Sequence, residues 1–206
     1  MILYWMLPFV MTAWNLTLNR EVMWVSLDER VFEHLRLVSD HDGILAEGLI
    51  IHLDTKESFR LRYRIHCDLQ WQVRSLKLEN LDQPPQLLVL QSDGNGNWTN
   101  AQGEVISSLK GCRDVDIYYS PFTNTLAIRR LGLKPNESTE INVAFINAVD
   151  MKVNAVRQRY TLLQATPNGG LYRYESLTSG FATELPVDSD GLVLDYPNFF
   201  RRAWAR

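Results

Sequence analysis

The sequence predicts a mainly β, single-domain protein in which many short antiparallel strands form one sheet that curls on itself, with little helix. Three observations carry that expectation. Residues 59–74 alternate strictly between apolar and polar side chains, shorter alternating runs recur at hairpin spacing between turn residues, and helical periodicity is scarce.

Within 59–74 every odd position through Val73 is apolar or aromatic, beginning Phe59, Leu61, Tyr63 and Ile65, and every even position is polar. A period of 2 puts one face of a strand in a core and the other in water, whereas on a helix the odd positions would scatter around the circumference. The run is long enough for two strands or one bent strand. Further alternating runs lie at 44–53, 86–91, 104–109, 114–119, 140–147, 156–163, 171–176, 181–187 and 192–196. Asp93-Gly94-Asn95-Gly96, Lys134-Pro135-Asn136, Pro167-Asn168-Gly169-Gly170 and Asp190-Gly191 separate them, and each supplies residues that tolerate positive φ or pre-set a bend. So many short strands at this spacing must curl or close.

Helix is expected at 124–131, with Thr123 or Asn124 capping the first turn, Arg129 and Arg130 favouring the negative C-terminal end, and Gly132 in the left-handed position after it. A second, weaker helical segment is the tail 198–204. No linker separates two domains.

A chain of 206 residues with 46% apolar and 22% charged side chains can bury a sizeable core and lacks the composition of a disordered protein. Its 21 Lys and Arg against 24 Asp and Glu leave a net charge of -3, with no field to attract polyanions, so a dedicated nucleic-acid partner is not expected. Two cysteines, Cys67 and Cys112, make neither a disulfide framework nor a zinc knuckle, which fits a reducing cytoplasm. The histidines, His34, His41, His52 and His66, fall in no spacing that puts two on one metal. Nucleophile-elbow, phosphate-loop and dinucleotide motifs are missing from the sequence, so no cofactor, no metal and no enzymatic activity are expected.

Residues 1–19 carry no charge and include Tyr4, Trp5, Phe9 and Trp14. A secretory signal needs a basic stretch ahead of its apolar run, yet the first basic residue is Arg20, and Pro8, Thr12, Asn15 and Thr17 interrupt the ~20 apolar residues of a spanning helix. The expectation is an extra apolar segment over 1–21, with Met11 or Met23 as the natural initiator, ahead of a domain at 22–206 and with no transmembrane span. The alternative is export or membrane attachment through 1–19.

Candidate chemistry is sparse. Asp93, Asn95, Asn97 and Glu104 imitate part of a calcium loop, but Trp98 stands where that loop needs glycine, so a hairpin turn is expected. Asp114 and Asp116 would leave one strand face with Cα atoms about 6.6 Å apart, a spacing a carboxylate-dependent hydrolase could use. Pairing with Arg129, Arg130, Arg157 or Arg159 is the commoner fate of such carboxylates. Arg60, Arg62 and Arg64 read as a solvated basic stripe, or as a rim for an anionic or sugar headgroup. The 6 Trp, 8 Tyr and 8 Phe would fill a large β core and equally suit amphiphile recognition.

The stretch Gly111-Cys112-Arg113-Asp114-Val115-Asp116, continuing through Pro121-Phe122-Thr123-Asn124-Thr125-Leu126 to Ile128-Arg129-Arg130-Leu131, resembles the signature of the bacterial family named "putative glycolipid-binding". The likeness continues at Arg157-Gln158-Arg159-Tyr160, Tyr172, Tyr174, Gly180-Phe181, Asp190-Gly191-Leu192-Val193, Tyr196-Pro197 and Arg201. Upstream it takes in Trp24, Glu33-His34-Leu35, Gly48, Tyr63, Asp68, Trp71, Gly96 and Trp98, and so covers about residues 22–204. Ala127 replaces a usual proline and Val31 an expected glycine.

The resemblance implies a spiral β-roll wrapped around one helix, a homodimer, and a glycolipid or similar amphiphile as ligand. It supplies no catalytic residues. Asp114, Asp116, Pro121, Phe122, Thr123, Asn124, Asp190 and Gly191 are expected to be structural parts of the motif. Arg129, Arg130, Arg157, Arg159, Tyr160 and Trp71 are the expected ligand contacts, around a cavity for acyl chains. A filled-core dimerisation module and a hydrolase using Asp114 and Asp116 are the competing expectations.

Overall fold

The alternating runs do become strands, but they assemble into two sheets rather than one. The structure, a computed structural model, describes residues 18–206 apart from 57 and 83. The expected segment over 1–21 therefore lies almost wholly outside the described residues, and its last residues belong to the first strand. In chain order the elements are β1 (Asn19–Ser26), β2 (Val31–Ser39), β3 (Ile44–His52), β4 (Phe59–Cys67), β5 (Val73–Asn80), β6 (Gln86–Ser92) and β7 (Trp98–Thr99). A single 3-10 turn (Ser107–Leu109) leads to β8 (Cys112–Ile117) and α1 (Thr123–Leu131). Then come β9 (Ser138–Ile146), β10 (Val153–Thr166), β11 (Gly169–Ser176), β12 (Ala182–Asp188), β13 (Asp195–Tyr196) and β14 (Phe200–Ala205).

The nine-stranded sheet has the order β13-β14-β1-β2-β3-β4-β5-β6-β7 and the five-stranded sheet β12-β11-β10-β9-β8. All neighbours are antiparallel except β8 and β9, which α1 joins as a parallel crossover. Each edge of the smaller sheet is stitched to an edge of the larger. Before β7 and β8, the Gly111 amide donates to the Gly96 carbonyl at 2.8 Å, and the Trp98 indole donates to the Cys112 carbonyl at 2.7 Å. A Cβ on Gly96 would sit 2.9 Å from Gly111 Cα, so this seam closes only on glycine. Between β12 and β13, Asp188 and Leu194 amides bond Leu192 and Pro186 carbonyls.

Several expectations are corrected. Segment 104–109 holds a 3-10 turn and one isolated bridge, Thr99 to Val105, not a strand. The tail 198–204 is strand, not helix, because β14 pairs with β1 from Val22 opposite Ala205 to Ser26 opposite Phe200. The long run breaks after Cys67, where Asp68 Oδ1 accepts the Gln70 and Gln72 amides at 3.0 and 2.9 Å and turns the chain. Helix α1 ends as expected, with Gly132 at φ 55 donating to Ile128 O. It starts differently: Phe122 is the N-cap residue and no side chain of its own turn caps it. Instead Thr123 Oγ1 donates to Ser120 O and Asp116 Oδ1, both at 3.0 Å.

The helix divides the interior. Phe122 and Leu126 join the core of the nine-stranded sheet, where Leu35, Leu61, Ile65, Leu76 and Leu78 are fully buried. Ala127 and Ile128 face a second cluster with Tyr160, Leu162, Tyr174 and Leu185 of the five-stranded sheet. Among the described residues no helix is long and apolar enough to cross a membrane.

Candidate functional site

Where the two sheets part at one end, a partly enclosed chamber of about 780 Å³ remains. Its walls come from the β1–β2 turn, the segment between β8 and α1, the middle of β10, the end of β11 and the β13–β14 turn. The lining is graded. Deep in it lie Gln158 and Asn124, 2% and 6% exposed, beside Asp116. At the rim stand Leu27, Tyr118 and Phe199, all about half exposed, beside the exposed polar residues Asp28, Thr178, Ser179 and Asn198, while Val31, Ile117 and Phe200 are buried parts of the lining. Between them are flat aromatic walls: Phe181 and Tyr196 stack at 6.4 Å with 14° between planes, and Phe199 meets both edge-on.

Alternation explains how β10 builds the floor. Arg157 and Arg159 point outward and share Glu140, so Gln158 and Tyr160 point inward. Gln158 Nε2 donates to Asp116 Oδ2 at 2.6 Å, and Tyr160 OH donates to Asn124 Oδ1 at 3.0 Å. Thr123 supplies the other Asp116 oxygen, giving a connected network of neutral partners around one carboxyl. Burial pushes the Asp116 carboxyl above the ordinary aspartate range, while the Gln158 and Thr123 hydrogen bonds pull the other way.

Asp114, two residues earlier, has the opposite environment. A register shift in the β8–β9 pairing lies between Cys112 and Asp114, and Asp114 is buried against Arg130, with Nε to Oδ1 at 2.8 Å and Nη2 to Oδ2 at 2.5 Å. This bidentate pair ties α1 to β8. Expecting arginine partners therefore holds for Asp114 and fails for Asp116, whose partners are an amide and a hydroxyl.

A third carboxyl supports the chamber from behind. Glu33 of β2 accepts Tyr63 OH at 2.7 Å, Ser120 Oγ, and the Phe122 amide at 3.3 Å at the start of α1. Gly48 makes this possible, because a Cβ there would fall 2.0 Å from the Tyr63 ring that lies across it. Burial is the dominant effect on Glu33 and pushes its carboxyl up to about 7 against the three hydrogen bonds. Ser120 and Pro121 line the chamber, so Glu33 braces its wall.

The six expected ligand contacts do not line the chamber. Arg129 lies over the Trp71 ring at 5.0 Å, on the other side of the helix, and Arg130 is spent on Asp114. Arg157 and Arg159 are outward, and Tyr160 sits behind the lining, touching Asn124, Gln158 and Tyr174. Of the expected structural motif, Asp116, Pro121 and Asn124 are lining residues. Phe122 and Thr123 sit behind them, and Asp190-Gly191 forms the seam turn, where Gly191 O accepts Thr125 Oγ1 at 2.9 Å. Gln158, Tyr174, Phe181 and Tyr196 were not expected as contacts; for Gln158, the shared face with Tyr160 was the available signal.

Other candidates resolve into structure. Arg60, Arg62 and Arg64 pair with Asp82, Glu79 and Glu47 across strands, which neutralises the stripe. Asp93 closes its own turn by accepting the Asn95 and Asn97 amides at 2.7 and 3.2 Å. Burial holds the Cys67 thiol far above its usual range and pushes Cys112 up to about 11, so both stay protonated. Asp40, His41 and Asp42 could converge on an ion, but all three are fully exposed in one turn.

Two sheets stitched edge to edge around one helix, with an aromatic chamber left open at one end, define a chambered, mainly β protein. The chain belongs to the family described as "Putative glycolipid-binding", whose sequence profile matches residues 21–202. It is also similar to the crystal structure of a DUF1089 family protein from Pseudomonas aeruginosa, at 37% identity over 84% of this chain and 92% of that one, with a TM-score of 0.76. No curated protein matches it.

Proposed function

We propose that the protein is a non-enzymatic carrier that holds an amphiphile in the chamber between its sheets. The observation that carries this reading is the chamber itself. At about 780 Å³ it falls within the ~300–1,000 Å³ of sites that enclose small ligands. The family description points to the same ligand class. Energetically the reading is feasible, since burying ten methylenes at ~0.8 kcal/mol each yields roughly 8 kcal/mol before association costs. A filled-core module would leave no such space.

Turnover is not part of the proposal, because Asp114 is committed to Arg130 and so is not free to act with Asp116 as a catalytic carboxylate pair. A cytoplasmic homodimer completes it: the two buried free thiols suit a reducing compartment, and the dimer follows the family resemblance. Native mass spectrometry of the full chain after incubation with a bacterial lipid extract tests the carrier reading. A bound lipid is expected, and empty protein across all extracts overturns it. Hydrolysis of a chromogenic glycoside or ester panel would overturn the non-enzymatic part. Light scattering giving a monomer mass would remove the dimer.

A further inference from the structure

We infer that the chamber selects a cationic head, an organic ammonium whose N–H groups meet the Asp116 carboxylate while its carbon substituents lie against the surrounding rings. This rests on the carrier reading and adds the sign of the ligand's charge, which neither the chamber's size nor the family description gives.

The charges in the lining carry it. Asp28 and Asp116 are the carboxylates among the described lining residues, and no lysine or arginine stands with them. The remaining titratable side chains there are the tyrosines and His52, which stacks on Tyr119 at 5.1 Å. The two acids are not equivalent. Asp28 lies at the exposed rim, where Arg30 approaches it at 3.9 Å and reaches Asp54 at 3.5 Å. Asp116 has neutral partners, the Gln158 amide and the Thr123 hydroxyl. A carboxylate withdrawn from water without a cation is costly, and burial pushes the Asp116 carboxyl up against those two hydrogen bonds. A ligand that brings the cation offsets that cost. Asp116 also retains room for donors, because a carboxylate accepts about four hydrogen bonds and Gln158 and Thr123 each supply one.

The walls act in the same direction. Rings of Tyr118, Tyr119, Tyr174, Phe181, Tyr196 and Phe199 border the space. The face of an aromatic ring is negative and attracts a cation within about 6 Å of its centre, more strongly out of water. The carboxylates add to that field. Burial is the main cause that pushes the Tyr119, Tyr174 and Tyr196 phenols up, and the acids push them further, Asp116 at Tyr174 and Tyr196 and Asp28 with Asp54 at Tyr119. A sulfate or phosphate head would enter this field against like charge, and an uncharged head would gain nothing from it.

Calorimetric titration of the folded full chain with octylammonium, octyl glucoside and octyl sulfate, each below its micelle concentration, tests the sign of charge at constant chain length. The salt is kept at about 0.15 M, where exposed charges are largely screened. Octylammonium is expected to bind tightest, roughly tenfold over octyl glucoside, with octyl sulfate weakest. Asp116→Asn should weaken octylammonium roughly tenfold and leave octyl glucoside within about twofold. A loss of the same size for all three probes overturns the role given to Asp116. Octyl glucoside or octyl sulfate binding the wild-type chain as tightly as octylammonium overturns the cationic head, whether or not the variant folds, and leaves the carrier standing. Binding of none overturns the carrier, and this inference with it.

Discussion

The nine-stranded sheet fills its inner face with its own side chains, aliphatics together with Trp24, Tyr63 and Trp98, whereas the five-stranded sheet, with Tyr160, Tyr174 and Leu185 inside, borders a space beside Gln158. Leu61, Ile65, Leu76 and Leu78 are fully buried on the first. On the second, Tyr174 and Gln158 border a chamber. Both faces come from the same period-2 pattern. What separates them is what meets each face: the first is packed throughout by its own side chains with Phe122 and Leu126 of α1, while at the open end of the second the rings and tethered amides hold a wall without filling what lies in front of it. One sheet thus provides stability, and the other leaves room for a guest.

Four measurements would break or sharpen that contrast. The largest effect is expected at the joint between the halves: Arg130→Ala strands the Asp114 carboxylate, 1% exposed, and should cost about 3–5 kcal/mol in denaturant unfolding. Leu61→Ala in the filled half should cost about 3 kcal/mol through the cavity it leaves. The Glu33 brace should give a pH signature. Its carboxyl, raised from 4.5 to about 7, holds its proton more tightly folded than unfolded. Its contribution is therefore most favourable below pH 4.5 and falls as pH rises to about 7, then levels off. The loss is about 3 kcal/mol at most, and it should appear as a pH-dependent difference between wild-type and Glu33→Gln urea curves across that window, because the variant has no carboxyl to titrate. The smallest effect is expected in the open half, where Phe181→Ala should cost about 1 kcal/mol or less, because the wall it leaves borders space already present. If Phe181→Ala destabilises as much as Leu61→Ala, the two halves are not different in kind.

The sequence made β3, β4, β6 and β8 to β12 legible because each alternates on a half-buried face, while of β5 it reached only Val73 and Arg74. It hid β1 and β2 for local reasons. In β1 the register shift between Met23 and Trp24 puts Trp24 and Val25 both inside, which breaks the period. In β2 an inward position is taken by Glu33, which reads as an outward residue until its three donors from β4 and the helix start are known. The tail read as helix because its pairing with β1 is non-local. Within the site, Asp116 drew attention for its spacing to Asp114 and Asn124 for its motif. The ligand contacts were placed largely on arginines for their charge, yet Arg130, Arg157 and Arg159 had acids waiting on neighbouring strands and Arg129 lies over Trp71. Only the fold could reveal that.

The pairing of β14 with β1 also sets the order in which the molecule can be finished. Val22 pairs opposite Ala205, so the two strands that meet there are separated by nearly the whole of the described chain. Closing so long a loop is slow and comes late, and until it happens β1 offers its outer edge to any passing strand. The protein is thus most open to misassembly with its own copies before that pairing forms, while the outer edge of β1 is still bare.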